Sequence, residues 1–196
     1  MRRKTLDALL TTAGLALSAV LLIAGALLLW GHSFVDGQVH SQLAAQKIFF
    51  PPAGSKAIAD PRIAPYLNKY AGQQLVDGAQ AQAYADHFIA VHIDEIAGGQ
   101  TYAQLSSKAL ANPTDTKLAG QLQTVFRGET LRGLLLNAYA FWKMGQIALY
   151  AAVAAFAAAG IFLLLSVLGV VHMRRVSSDV EVATKLGAHT PAPVEP

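Results

Sequence analysis

Two unbroken apolar runs bracket a stretch of ordinary polarity. Residues 8–30 (ALLTTAGLALSAVLLIAGALLLW) and 144–173 (MGQIALYAAVAAFAAAGIFLLLSVLGVVHM) contain no Asp, Glu, Lys or Arg. About twenty apolar residues in helical form cross the ~30 Å hydrocarbon layer of a bilayer, so each run predicts a transmembrane helix. The second, at thirty residues, would reach about 45 Å, which calls for tilt or an outer turn clear of lipid. Signal h-regions are about 7–15 residues long and end at a small-residue cleavage site. The first run is longer and ends in Leu27-Leu28-Leu29-Trp30, so an uncleaved anchor is expected.

Between the runs the pattern changes to helical periodicity. Ile48-Phe49-Phe50 precedes Pro51-Pro52, which ends any outward extension of the first helix through 32–47, where Gly37 is a weak point. Phe49 and Phe50, just outside the membrane, have two candidate fates, resting on lipid or filling the core of the outer domain, and the core is expected. Residues 53–72, with Pro61, Pro65 and Gly72, read as an ordered loop with short turns. In residues 77–97, Asp77 is placed to cap a helix and Gly98-Gly99 to stop it. At 100° per residue, Ala81, Tyr84, Ala85, Phe88, Ile89, Ile93 and Ile96 share one face, with His92 near its middle. Thr101-x-x-Gln104 is a capping box for a second helix that Pro113 ends, and Thr114 or Asp115 opens a third. In that helix Leu118, Leu122, Val125 and Phe126 repeat at helical spacing. It is expected to run on past Leu131 and Leu134–Leu136 into the second span. No stretch alternates like a strand.

The predicted class is an all-α membrane protein, with two antiparallel transmembrane helices and a small helical extracytoplasmic domain between them. The expected boundaries are a cytoplasmic N-terminus at 1–7, spans at 8–30 and 144–173, an outer domain at 31–143 and a disordered cytoplasmic tail at 174–196. Charge sets the orientation. Arg2, Arg3 and Lys4 precede the first span, and Arg174, Arg175 and Lys185 follow the second. Outside lie Lys47 near the first span and Arg127, Arg132 and Lys143 near the second. The first span decides, and a two-span chain must keep its ends together, so both termini face the cytoplasm at the plasma membrane. Trp30 and Phe34, with Tyr139, Phe141 and Trp142, mark the outer interface. Ala151, Ala155 and Ala159, flanked by Ala154 and Ala158, form a small-residue ladder, and Gly14 and Ser18 share its spacing. Such residues let helices approach closely. The pairing is expected within the chain, with contact between copies as the alternative.

Composition narrows the chemistry. Net charge is only +3, so no nucleic-acid partner is implied. Cysteine is absent, which removes disulfides, thiolate metal sites and a cysteine nucleophile. Asp86-His87 and His92-Ile93-Asp94-Glu95 are the metal-capable cluster. On an α-helix His87 and His92, five apart, point about 140° from each other, whereas paired ligands favour a spacing of four. A helix-packing His92 and a solvated acidic face are the expected outcome. Ser106 and Ser107 have no base nearby in sequence, and Asn112-Pro113-Thr114 is not a glycosylation acceptor. Glu129 and Arg132 form an i,i+3 pair, with lipid headgroups as an alternative partner, and Arg127 lies beside them.

Two stretches carry a resemblance. Ser41-Gln42-Leu43 … Ile48 … Pro51 is similar to the segment after the first span of short actinobacterial two-span membrane proteins of unknown function. His92 … Gly98-Gly99-Gln100-Thr101-Tyr102-Ala103-Gln104-Leu105 resembles their central H…GG-x-T-Y-A-x-L pattern. The likeness covers both spans and parts of the outer domain, but not residues 53–75. Some members carry an automatic label of aromatic ring-opening dioxygenase, which requires an iron triad that this chain does not space correctly. The resemblance implies an envelope location and a shared architecture. It makes Gly98, Gly99, Thr101 and Tyr102 a structural turn and cap.

These readings favour a non-enzymatic accessory, scaffold or interaction protein of the cell envelope, without catalytic, metal or cofactor-binding residues. Its partners would be the bilayer and either an envelope protein or a second copy. The alternative is a sensor or ligand-binding module holding an apolar ligand near Phe49, Phe50 and Tyr84. A metal-dependent enzyme is the third class.

Overall fold

A computed structural model describes residues 3–175, with the side chain of residue 3 left aside. The expectations for Arg2, Lys185 and the tail beyond Arg175 lie outside the described residues. Among the described residues the protein is all-helical, apart from one isolated antiparallel bridge between Phe49 and Gln74. Two helices are long and apolar enough to cross a membrane. These are α1 (Arg3–Ala45) and α6 (Thr116–Arg175), of 43 and 60 residues. Between them come a 3-10 turn (Lys56–Ile58), α2 (Ala64–Leu67), a second 3-10 turn (Asn68–Tyr70) and α3 (Gly78–Ala83). A π-helical turn (Tyr84–Ile89), α4 (Ala90–Ala97) and α5 (Tyr102–Ala111) complete the series. The chain divides into two compact units, Met1–Leu29 with Leu149–Pro196, and Trp30–Ala148; α1 and α6 contribute to both.

In the first unit the small residues are inside. Thr11, Ser18 and Ser166 are buried, as are Ala152 and Ala159, while Leu22, Ile23, Leu27 and Leu164 stand 47–64% exposed. The Ser18 hydroxyl donates to the Ala159 carbonyl at 2.9 Å. A Cβ added to Gly14 would run into the Ser166 hydroxyl, and one on Gly25 would meet the Phe156 ring at 2.9 Å. The buried positions recur every seven residues, as Thr11, Ser18 and Gly25 on α1 and Ala152, Ala159 and Ser166 on α6. Half-buried Gly14, Leu21 and Leu28 fall between them on α1. A seven-residue seam stays on one side of a helix when the helix coils left-handed around its neighbour. This corrects the expected ladder. Of Ala151, Ala155 and Ala159, only Ala159 is buried and Ala151 is exposed. On α1, Gly14 and Ser18, four apart, both meet α6 as expected, whereas on α6 the buried row repeats by seven.

The second unit has a conventional aliphatic core. Leu43, Phe50, Ile63, Leu67, Leu75, Leu105 and Leu135 are almost fully buried. The loop read from 53–72 supplies three core residues, Ile58, Ile63 and Leu67. It is closed at its base by the bonds Phe50 N to Gln73 O (2.8 Å) and Leu75 N to Ile48 O (2.9 Å). The Gln74 amide caps α1 by donating to Ala44 O at 2.7 Å. α1 runs unbroken through Gly37. α3 begins in an Asp77/Gln80 capping box and presses against α6, where a Cβ on Gly78 would overlap the Trp142 ring. α4 ends at Gly98, φ 61°, a left-handed conformation that glycine adopts without strain. Thr101 and Gln104 cap α5 reciprocally, and Asp115 Oδ1 accepts from Leu118 N at 2.9 Å at the start of α6. α6 then runs without interruption to Arg175, as its periodicity predicts.

The segment 77–97 holds a second correction. Beyond the first turn, where Gly78 and Gln80 are also buried, its buried positions are Ala81, Ala85, Ile89, Ile93 and Ala97, at intervals of four. An α-helix turns every 3.6 residues, so such a row would drift off its face. The π turn, with i→i+5 bonds, takes more residues per turn and absorbs the drift. As a result Ala97 is buried and Ile96 is 42% exposed.

Candidate functional site

The metal-capable side chains on the helix 77–97 each have a neighbour in this fold. His92 is half-buried. Its Nδ1 lies 2.7 Å from the Phe88 carbonyl oxygen, and its ring is 4.5 Å from that of Phe88. The His87 ring stacks parallel on Tyr66 at 3.4 Å. Asp86 pairs with Arg132 at 3.2 Å, and Arg132 also reaches Glu129 at 3.5 Å. The i,i+3 pair is therefore present, with Asp86 as a third member that the sequence did not link to it. Among the described residues no three His, Asp or Glu side chains gather as a metal-holding group. Ser107 Oγ donates to Ala103 O at 3.0 Å, as an exposed helical serine does.

An ion cluster lies on the surface beside this helix. Arg62 bridges Asp60, at 2.7 Å, and Glu95, with Asp94 at 4.0 Å. Hydrogen bonds from the Arg62 side chain and then its backbone N–H lower the Asp60 carboxyl to about 2. The bonds to Asp60 and Glu95 raise Arg62 above its ordinary value. All three carboxylates are solvent-accessible, so the cluster reads as a latch between the 53–72 loop and α4, worth little in water.

The region expected to hold an apolar ligand is closed. Phe50 is 2% exposed, with ring centroids 5.1 Å from Tyr70 and 5.3 Å from Tyr84. Burial pushes the Tyr84 hydroxyl up from its usual value. Phe49 points away and is 57% exposed. Phe50 follows the expectation of a core residue and Phe49 does not.

A groove of about 580 Å³ lies elsewhere in the same unit. One wall is α1, with Phe34, Val35, Val39 and Leu43; the other is α6, with Leu134, Ala138 and Phe141. Gln38, Gln42 and Gln46 edge the first wall and Asn137 the second. The groove contains no ionisable side chain. Sequence reading missed it because its walls are about ninety residues apart in the chain. The only early signal is the Gln38, Gln42, Gln46 stripe at intervals of four.

A further cleft of similar size lies in the first unit, where Asp7, Thr11, Gly14, Ser166, Gly169 and His172 are among its lining. One Asp7 carboxylate oxygen there is buried without a hydrogen-bond partner.

Comparison with protein-family models, with curated proteins and with solved structures found no match.

Proposed function

We propose that this chain is a two-span plasma-membrane protein with both termini in the cytoplasm, presenting its Trp30–Ala148 unit outside as a non-enzymatic accessory or scaffold of the envelope. One observation carries the reading: in the first unit the burial is inverted. Hydroxyls, alanines and glycines are inside and large aliphatics face out. In water that surface would be a severe aggregation liability. In lipid there is no hydrophobic gain from burying leucine, and helices associate through small residues and interhelical hydrogen bonds. The contact order supports an antiparallel pair, because Thr11 meets Gly169, Gly14 meets Ser166, and Ser18 meets Ala159. The resemblance to actinobacterial two-span proteins agrees with this architecture.

The absence of native cysteine makes the test clean. In intact cells, Leu110→Cys, at an 80% exposed site, should react with a membrane-impermeant maleimide, and Lys4→Cys should react only after permeabilisation. The reverse labelling would sink the orientation. For the accessory role, extraction in mild detergent should retrieve an envelope partner or a homo-oligomer, and a solitary monomer would count against it. The groove favours a second reading, an apolar-ligand module, with the ligand between α1 and α6 instead of beside Phe49, Phe50 and Tyr84.

A further inference from the structure

We infer that the groove between the outer halves of α1 and α6 holds one long-chain lipid with an uncharged, hydroxyl-bearing head. The inference rests on the membrane reading above, with Trp30, Phe34, Tyr139, Phe141 and Trp142 in the headgroup layer. Size is the first argument. About 580 Å³ falls in the ~300–1,000 Å³ range of small-molecule sites, and Phe34 to Gln46 spans about 18 Å of helix, most of an extended fatty chain. The second argument is charge. No lining residue can neutralise a phosphate, a carboxylate or an ammonium, so a charged head would lose its hydration without gaining an ion pair.

The third argument is the placing of polar groups. Gln38, Gln42 and Gln46 form a stripe along one edge, with Asn137 on the other wall. Gln42 and Gln38 touch at 3.5 Å, a weak contact that leaves most of their donors and acceptors available. Carboxamides in that position suit hydroxyl and ester groups. Phe34 and Phe141, both more than half exposed, stand at the other end, and Trp30 stacks on Phe34 at 5.8 Å. Aromatic rings of this kind settle at the membrane interface, so the mouth opens where a chain can enter from lipid. A neutral monoacylglycerol combines all three properties.

The test uses the full chain in phosphatidylcholine vesicles with a diazirine-bearing monoacylglycerol as probe. After irradiation, adducts should map to residues 34–46 and 134–141 and should be competed away by monoolein. Ala138→Trp, which fills the groove, should cut those adducts about tenfold. Because tryptophan there could perturb folding, Gln42→Leu with Asn137→Leu is the companion; it keeps the shape and should weaken monoolein competition by a similar factor. Adducts confined to 7–29 and 149–175 would overturn the proposal. So would equal labelling by a diazirine phosphatidylglycerol, adducts unchanged by both variants, or cross-links joining two copies through the groove. The membrane reading is scored separately by resistance of the same vesicles to alkaline carbonate. A chain that washes off sinks that reading, while groove adducts with detergent-dispersed probe still decide the site.

Discussion

The two units of this protein bury opposite kinds of side chain. Trp30–Ala148 closes over Leu, Ile, Val and Phe, as any domain in water does. The other unit closes over Thr11, Ser18, Gly25, Ala152, Ala159 and Ser166 and leaves its leucines outside. The same two helices, α1 and α6, supply both patterns. On the membrane reading proposed above, the difference is one of solvent: burying a methylene is worth about 0.8 kcal/mol in water and nothing when the alternative is a lipid tail. Helices in lipid therefore gain from close approach, and the smallest residues permit it.

The strongest way to break this comparison is to truncate one leucine in each unit. Leu67→Ala, at a fully buried site, should cost about 2–5 kcal/mol, read by thermal unfolding in detergent micelles. Leu22→Ala, 47% exposed on the span, should leave the transition nearly unchanged. Equal losses would erase the distinction. A step smaller, Gly25→Leu should force the seam apart against Phe156 at about 1–3 kcal/mol, whereas Gly120→Ala, with nothing within 4 Å of the added methyl, should be neutral or mildly stabilising. Ser18→Ala should cost only about 0.6 kcal/mol, the typical worth of an interhelical hydrogen bond in lipid, and a double-mutant cycle with a neighbouring seam residue would refine it.

The smallest effect is acid sensitivity in the outer unit. Asp60 titrates near 2 in the folded chain and near 3.8 when unfolded, so the unfolded state binds its proton first. Its contribution is complete above about pH 4 and fades as pH falls through 2. Asp60→Asn should flatten that part of the stability profile slightly and leave the neutral region almost unchanged, because the pair is exposed.

Much of this organisation can be read from sequence, and the misses have physical causes. Asp77, Thr101, Gly98 and Pro113 mark helix ends because caps are local and specific. The run of α6 through both units follows from unbroken helical periodicity. The π turn carries no such mark. Tyr84–Ile89 contains neither Gly nor Pro, and only the buried row at intervals of four betrays it. The span seam is written in the chain as Thr11, Ser18 and Gly25, but a search at spacing four finds the alanine ladder instead. Ile58, Ile63 and Leu67 show no period, so their role in the core emerges only when Phe50 and Leu75 close the loop. The groove depends on two walls far apart in the chain, and no local pattern encodes that meeting.

The close packing of Gly78 against the Trp142 side chain also has an optical consequence. The chain has two tryptophans. Trp30 is 67% exposed, and Trp142 is partly enclosed against α3. On the membrane reading Trp30 faces the headgroup layer, so their emission should separate into a component that a lipid-borne quencher reaches and a shielded one. A loosening of α3 from α6 would shift only the second, so the protein carries its own reporter of that contact without any added dye.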